Sequence, residues 1–340
     1  MPSTARHQLR GRPSGLVPRI SAFIGRMALA LLICAAMHGA ASAKRITMVA
    51  SPNAVLVHLA AERGYFRDQG LDVEVQRSES GPNSIKAVVE GHADIATSAE
   101  TPFVIYSFER PDLRILATLS TSDTLRLIAR GDRAIRTPRD LAGKRIGVTL
   151  GSVGEYLLAR YLTLNAVQPA AATLVDLKPD QITERLVKGE LDAGLTWEPF
   201  VRNAELALED NVVTLPEQYD QYYHTLLTST RGWLNANPSE ARAILRALIA
   251  AETYAVEHPV EAKEIYRKLF DIGVGEIDYV WSLHNLYVSL PQALMFALEL
   301  QAEWHIRRKL TGALTIPNYL GFIATDPLRQ LRESSVGIVK

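Results

Sequence analysis

The stretch Gly91–Val104, GHADIATSAETPFV, and its partner Gly189–Val201, GELDAGLTWEPFV, decide the fold. Each opens on Gly-x-x-Asp, runs through a short apolar segment and ends on a glutamate and Pro-Phe-Val. An offset of 98 residues lays Gly91, Asp94 and Glu100 on Gly189, Asp192 and Glu198, and a shift of one residue aligns Pro102–Val104 with Pro199–Val201. Each glycine follows a helical run, Asn83–Glu90 in the first copy and Pro179–Lys188 in the second, where glycine caps a helix C-terminus. The apolar segments, Ala93–Thr97 and the run ending at Trp197, read as buried strands.

The pattern extends outward on both sides. Arg45–Val49 reads as a strand, Ala54–Arg63 as a helix, and Leu71–Gln76 alternates apolar and polar residues as a half-buried strand does. Lys144–Ile146 repeats Lys44–Ile46, and Leu174–Leu177 stands where Val73–Gln76 stood. Alternating strands and helices predict mostly parallel sheets with helices on both faces. The expected organisation is therefore two doubly wound α/β lobes: residues 44–125 with 220–340, and residues 126–219. Leu113–Leu119 and Arg126–Arg130 lead the chain out of the first lobe, and Val212–Leu215 and Tyr222–Ser229 lead it back, which predicts a two-strand hinge. Pro238–Glu257, Val260–Phe270, Glu276–Leu290 and Pro291–Leu310 have helical apolar spacing and form a helical C-terminal block.

Composition limits the function. The 340 residues are enough for two ordinary domains, and 37 basic residues balance 37 acidic ones. Residues 1–43 hold five arginines and no acid, so the rest of the chain carries a net charge of −5. An acidic body lacks the basic footprint of a nucleic-acid partner. A basic stretch to Arg26, an apolar run Met27–Met37 and Ala41-Ser42-Ala43 read as a secretory signal cleaved after Ala43, which predicts export to the periplasm. A retained N-terminal tether is the alternative, but a spanning helix needs about 20 residues. Cys34, the single cysteine, lies in that segment, so the body has no disulfide, thiolate or cysteine metal site. His58, His92, His224, His258, His284 and His305 show no zinc-type spacing, and neither metal nor cofactor is expected. Gly151–Gly154 lacks both the lysine of a phosphate loop and the pattern of a nucleophile elbow, so no catalytic residue is assigned.

Ligands of open α/β sheets sit beyond the carboxyl ends of strands, where helix N-termini converge. The strand-end loops are Ser51–Asn53, Ser78–Asn83, Ser98–Thr101, Ser120–Thr124, Gly151–Glu155 and Thr196–Pro199. Most offer hydroxyls or small residues that suit an oxyanion held by neutral donors. The same residue types are ordinary helix caps. Trp197 reads as an apolar wall of the cleft, with a core tryptophan as the alternative. Glu198, and Glu100 at the matching place, read equally as cleft carboxylates or as residues favoured at a helix N-terminus. Tyr222 and Tyr223, at the return crossing, read as hinge packing, with one of them as the alternative cover over a ligand.

The chain resembles the periplasmic substrate-binding proteins of ABC importers for aliphatic sulfonates, taurine and nitrate, which are related to binding proteins for thiamine pyrimidine precursors. The resemblance rests on AAERGYFRDQGLDVE (Ala60–Glu74), VVEGHADIA (Val88–Ala96), DLAGKRIGV (Asp140–Val148), LDAGLTWEPF (Leu191–Phe200), SLPQALMFALELQAEW (Ser289–Trp304) and NYLGFIATDPL (Asn318–Leu328). It implies the periplasmic binding protein type II fold, a small ligand clamped between lobes, and a membrane permease with its ATPase as partners of a monomer. It implies ligand contacts at Ser51, Asn53, Asn83, Ser98, Glu100, Thr101, Thr121, Ser122, Ser152, Trp197 and Glu198. A small organic anion or zwitterion, sulfonate-like, is the expected cargo. The alternatives are an enzyme or a ligand sensor built on the same fold and directed at a small heterocycle such as a pyrimidine.

Overall fold

A computed structural model of the protein describes residues 45–215 and 222–339. The expected signal, residues 1–43, lies outside them. The first half alternates β1 (Ile46–Ala50), α1 (Val55–Glu62), α2 (Tyr65–Asp68), β2 (Val73–Arg77), α3 (Gly81–Val89), β3 (Ile95–Ser98) and α4 (Glu100–Ser107), then runs through β4 (Leu113–Ser122). The second half begins with β5 (Leu125–Arg130) and continues with β6 (Arg145–Val148), α5 (Val153–Leu164), β7 (Thr173–Asp176), α6 (Pro179–Val187), β8 (Ala193–Trp197), α7 (Phe200–Leu208) and β9 (Val212–Leu215). The chain then returns through β10 (Tyr223–Thr230) to α8 (Arg231–Ala236), α9 (Pro238–Glu257), α10 (Pro259–Phe270), α11 (Ile277–Ser282), β11 (His284–Ser289), α12 (Gln292–Arg307) and α13 (Thr325–Arg329).

Two sheets result. The first has the order β2-β1-β3-β10-β4-β11 and the second β7-β6-β8-β5-β9. In both, the three strands that alternate with helices are parallel, and the next strand inward is antiparallel: β10 against β3, β5 against β8. Each antiparallel strand is the one that has just crossed from the other sheet. The outward crossing takes only Asp123 and Thr124, between Ser122 at the end of β4 and Leu125 at the start of β5.

Central strands β3, β8 and most of β10 are buried on both faces, as a sheet covered by helices on both sides requires. Edge strands β2 and β7 are half exposed. One apolar core joins Met48, Ile95, Leu116 and Leu226 of the first sheet to Leu56 of α1 and Leu245 of α9. The second sheet has a core on each face: Leu195, Leu157 and Tyr161 on the side of α5, and Ile128, Ile182 and Val201 on the side of α6 and α7. Full burial of such a side chain stabilises by about 1.5–3 kcal/mol.

The C-terminal block departs from the sequence reading at one place. The helix expected over Glu276–Leu290 stops at Ser282, and His284–Ser289 forms β11, paired with β4 through His284 opposite Ser122, Asn285 opposite Thr121 and Leu286 opposite Ser120. Its exposed Asn285 and Tyr287 alternate with buried His284 and Val288. A bare edge on β4 leaves unpaired backbone groups, and satisfying them outweighs local helix preference. The remaining helices cover the first sheet, except that α12 also reaches the second: Trp304 meets Tyr156 of α5 edge to face, ring centres 5.5 Å apart. No helix of the described residues is long and apolar enough to cross a membrane.

Candidate functional site

The carboxyl ends of the parallel strands in the two sheets face one crevice. Ser51, Pro52 and Asn53 after β1, Ser80–Pro82 at the start of α3, Ala99 and Pro102 at the start of α4, Leu125, Ser152, Val153, Trp197, Tyr223 and Thr225 line it. About 420 Å³ between these residues is free of atoms, yet the centre of a water molecule can move through only about 30 Å³ of it. The two halves stand close together: Lys178 reaches Glu79 across the mouth at 2.9 Å, and Arg202 of α7 reaches Glu276 at 2.9 Å. Every side chain lining the crevice is uncharged.

The wall on the first sheet is fixed by buried hydrogen bonds. The Ser51 amide donates to Thr97 Oγ1 at 2.9 Å, and the Ser51 hydroxyl lies 3.1 Å from the same oxygen. His58 Nε2 lies 2.9 Å from the Ser51 carbonyl. A carbonyl only accepts, so this nitrogen carries the proton. Burial lowers the His58 pKa to about 4, which keeps the ring neutral. Tyr266 Oη donates to the Pro52 carbonyl at 3.2 Å. Gly81 admits the close approach of α3 to β3, since a Cβ there would stand 3.3 Å from the Ser98 backbone and side chain.

Asn53 joins the two crossings. Its Nδ2 donates to Tyr223 Oη at 2.7 Å, and that hydroxyl lies 2.6 Å from Thr124 Oγ1. The Tyr223 oxygen accepts from Asn53 and shares a hydrogen bond with Thr124. Burial pushes the Tyr223 pKa up and keeps the phenol protonated. Tyr223 therefore lines the crevice and ties the hinge together, two roles the sequence presents as alternatives.

The eleven expected ligand positions separate into groups. Ser51, Asn53, Ser152 and Trp197 line the crevice. Ser152 does so while capping α5: its hydroxyl accepts from the Gly154 amide at 3.1 Å and donates to the Thr149 carbonyl at 2.6 Å. Asn83 lies in an adjoining groove that shares Ser80 and Pro82 with the crevice. The others are committed elsewhere. Ser98 donates to the Ala99 carbonyl at 3.0 Å, Thr101 to Gln301 Oε1 of α12, and Ser122 Oγ lies 2.9 Å from His284 Nδ1 of β11. Thr121 sits within β4, between His224 of β10 and Asn285 of β11.

Neither glutamate lines the crevice. Glu100 is fully buried, and its Oε1 accepts from the His224 amide at 2.7 Å and stands 2.7 Å from His224 Nδ1, anchoring the start of β10. Glu198 Oε2 accepts from the Arg202 amide at 3.2 Å, the helix N-terminal role. Burial raises the Glu198 pKa to about 7, against the opposing hydrogen bond from Arg202. Pro52, Pro82, Ala99, Pro102, Leu125 and Val153, which supply most of the apolar lining, carry no polar signature in the sequence.

Two buried polar atoms of the lining residues have no partner: Trp197 Nε1, a donor, and Asn53 Oδ1, an acceptor. Leaving such a group unmet costs about 1–3 kcal/mol, which a ligand with matching groups recovers. Among the described residues no cluster of His, Cys, Asp and Glu suits a metal ion.

With this geometry, residues 51–262 match the family described as NMT1/THI5 like. The chain belongs to that family. Its relatives include the taurine-binding periplasmic protein of Escherichia coli, 23% identical over 205 residues, a match that covers 58% of this chain and 62% of the relative. The chain thus spans about three fifths of that relative's length. Among solved structures, the alkanesulfonate-binding protein SsuA of Xanthomonas axonopodis, bound to MOPS, superposes with a TM-score of 0.75 at 16% identity, covering 84% of this chain and all of that one. The periplasmic nitrate-binding protein NrtA of Synechocystis gives 0.73 at 15%, covering 86% and 89%. These likenesses show that the NMT1/THI5-like chain has the periplasmic binding protein fold.

Proposed function

We propose that this protein is the solute-binding component of an ABC importer, working in the periplasm as a monomer and delivering a small organic anion or zwitterion, sulfonate-like, to a membrane permease. One observation carries the reading: Trp197 lines an uncharged crevice between two sheets and has a buried, unpartnered indole N–H. An acidic oxygen of the ligand would accept from Trp197 Nε1. Neutral donors suit an anion that must be released again, because they hold it without a permanent opposite charge. The prolines, Leu125, Val153 and the indole face would cover an apolar body. The unmet Asn53 Oδ1 would accept from a donor at the ligand's other end, which favours a zwitterion over a bare inorganic anion. The free space is too small for such a ligand without some opening, so capture involves separation and re-closure of the two halves.

A thermal-shift screen tests the reading, because a ligand that binds only the folded form raises the melting temperature. Taurine, alkanesulfonates, nitrate, aromatic acids and pyrimidines form the panel. The expected result is a shift with a sulfonate or aminosulfonate and none with nitrate. A shift with pyrimidines alone would refute the sulfonate assignment.

A further inference from the structure

Three arginines with no ion pair among the described residues meet at the end of the first sheet remote from the crevice. Arg114 lies near the start of β4, Arg231 opens α8 and Arg242 lies in α9, and all three line one groove. At this end of the sheet Leu113 pairs with Thr230; at the crevice end Ser122 pairs with Tyr223. The ten residues of β4 separate the two ends by roughly 30 Å at about 3.3 Å per residue.

The nearby carboxylates do not neutralise this cluster. Asp112 is held by Arg110 through two hydrogen bonds of 2.9 Å each. Asp326, which also lines the groove, accepts from the Thr325 hydroxyl at 3.4 Å. Among the described residues, Arg114, Arg231 and Arg242 make no ion pair. Arg114 is nevertheless fixed: its Nη1 donates to the carbonyls of Pro111 at 2.9 Å and Leu113 at 2.6 Å, and its guanidinium lies 6.0 Å from the Phe322 ring centre. Burial, and then the Arg231 charge, lower its proton affinity, against the opposing attraction of Asp112. Holding three like charges together with too little counter-charge is unfavourable, and an anion in the groove relieves it.

We propose that this groove is a second anion site, independent of the crevice, that takes phosphate oxygens, either of free phosphate or of an anionic lipid headgroup. Guanidinium groups present several N–H donors in a planar fork that matches phosphate oxygens, and here three of them come from three separate elements. Asp326 tempers the positive field, and three cations against one anion leave it positive. In a body of net charge −5 such a cluster is a local reversal of sign.

The test uses the purified protein with two probes: inorganic phosphate in a calorimetric titration, and sedimentation with vesicles of phosphatidylcholine alone or mixed equally with phosphatidylglycerol. Binding to at least one anionic probe is expected, weakened by added salt and reduced about tenfold or more in R231Q/R242Q. The crevice variant W197A should bind the same probe as the parent does. Phosphate binding points to a free anion, and binding to the anionic vesicles alone points to a headgroup. If the double variant does not fold, the single change R231Q at the exposed arginine replaces it. Absence of binding to both probes, equal binding by the arginine variants, or loss of binding in W197A would each overturn the proposal.

Discussion

Asp94 and Asp192, 98 residues apart in the chain, make the same pair of hydrogen bonds in the two sheets. The Asp94 carboxylate accepts from the Thr47 amide at 2.9 Å while its own amide donates to the Thr47 carbonyl at 2.9 Å. Asp192 repeats this with Arg145 at 2.8 and 3.0 Å. The turn before each is repeated too: Gly91 and Gly189 adopt left-handed φ of 76° and 72°, and the next amide reaches back to Ala87 or Arg185. The Gly-x-x-Asp motif thus ends a helix and locks the following strand to its parallel neighbour, β3 to β1 and β8 to β6.

Removing this lock should be costly. Asp94→Ala is expected to lower the unfolding free energy by about 1.5–3 kcal/mol, the range for a hydrogen bond to a charged group. Asp94→Asn, which keeps an acceptor oxygen, should lose less. Urea titration of the three proteins checks the order, and equal midpoints would count against the lock.

Trp197→Ala should weaken binding of the ligand identified by the screen more than tenfold, because it removes both the free indole donor and the indole surface lining the crevice. Calorimetry reads this directly. An unchanged affinity would remove Trp197 from the site.

Tyr223→Phe deletes one oxygen that serves both Asn53 and Thr124. Buried Thr124 and half-buried Asn53 each lose a partner, and a loss of about 1–3 kcal/mol in unfolding free energy is expected. Ligand affinity should fall as well, since Asn53 loses the bond that orients its amide. Retention of both quantities would show that water replaces the hydroxyl at no cost.

Glu198 should make the protein less stable as pH rises from about 4.5 to 7. Its folded pKa is raised to about 7 from an ordinary 4.5, so in that window the folded form holds a proton that the unfolded form has released. The full effect is about 3 kcal/mol at 1.36 kcal/mol per unit. Glu198→Gln should therefore gain stability relative to the parent across this window and hold the gain above it. Buried His58 and His284 act oppositely. Burial lowers both from 6.5 to about 4, so their contribution is present above pH 6.5 and lost as pH falls toward 4. Melting temperatures of parent and Glu198→Gln from pH 4 to 8 check the sign; parallel curves would refute the assignment to Glu198.

Much of the fold was legible because its signals are local. The spacing of apolar residues, the glycines after α3 and α6, and the repeated aspartates mark elements within a few residues of one another. The failure at His284–Ser289 has a non-local cause, since only the bare edge of β4 makes that segment a strand. The site divides in the same way. The crevice at the strand ends followed from the order of strands and helices, whereas the use of each polar side chain did not.

The sequence by itself determined two α/β halves of matching design, the strand ends that carry their loops, and the apolar stripes that bury their cores. Tertiary structure decided which side chains enter the crevice. Glu100, Thr101 and Ser122 are taken by His224, Gln301 and His284, which lie 124, 200 and 162 residues further along the chain. A buried polar group must find a partner, and which partner stands within about 3 Å depends on packing between distant segments that no local pattern records.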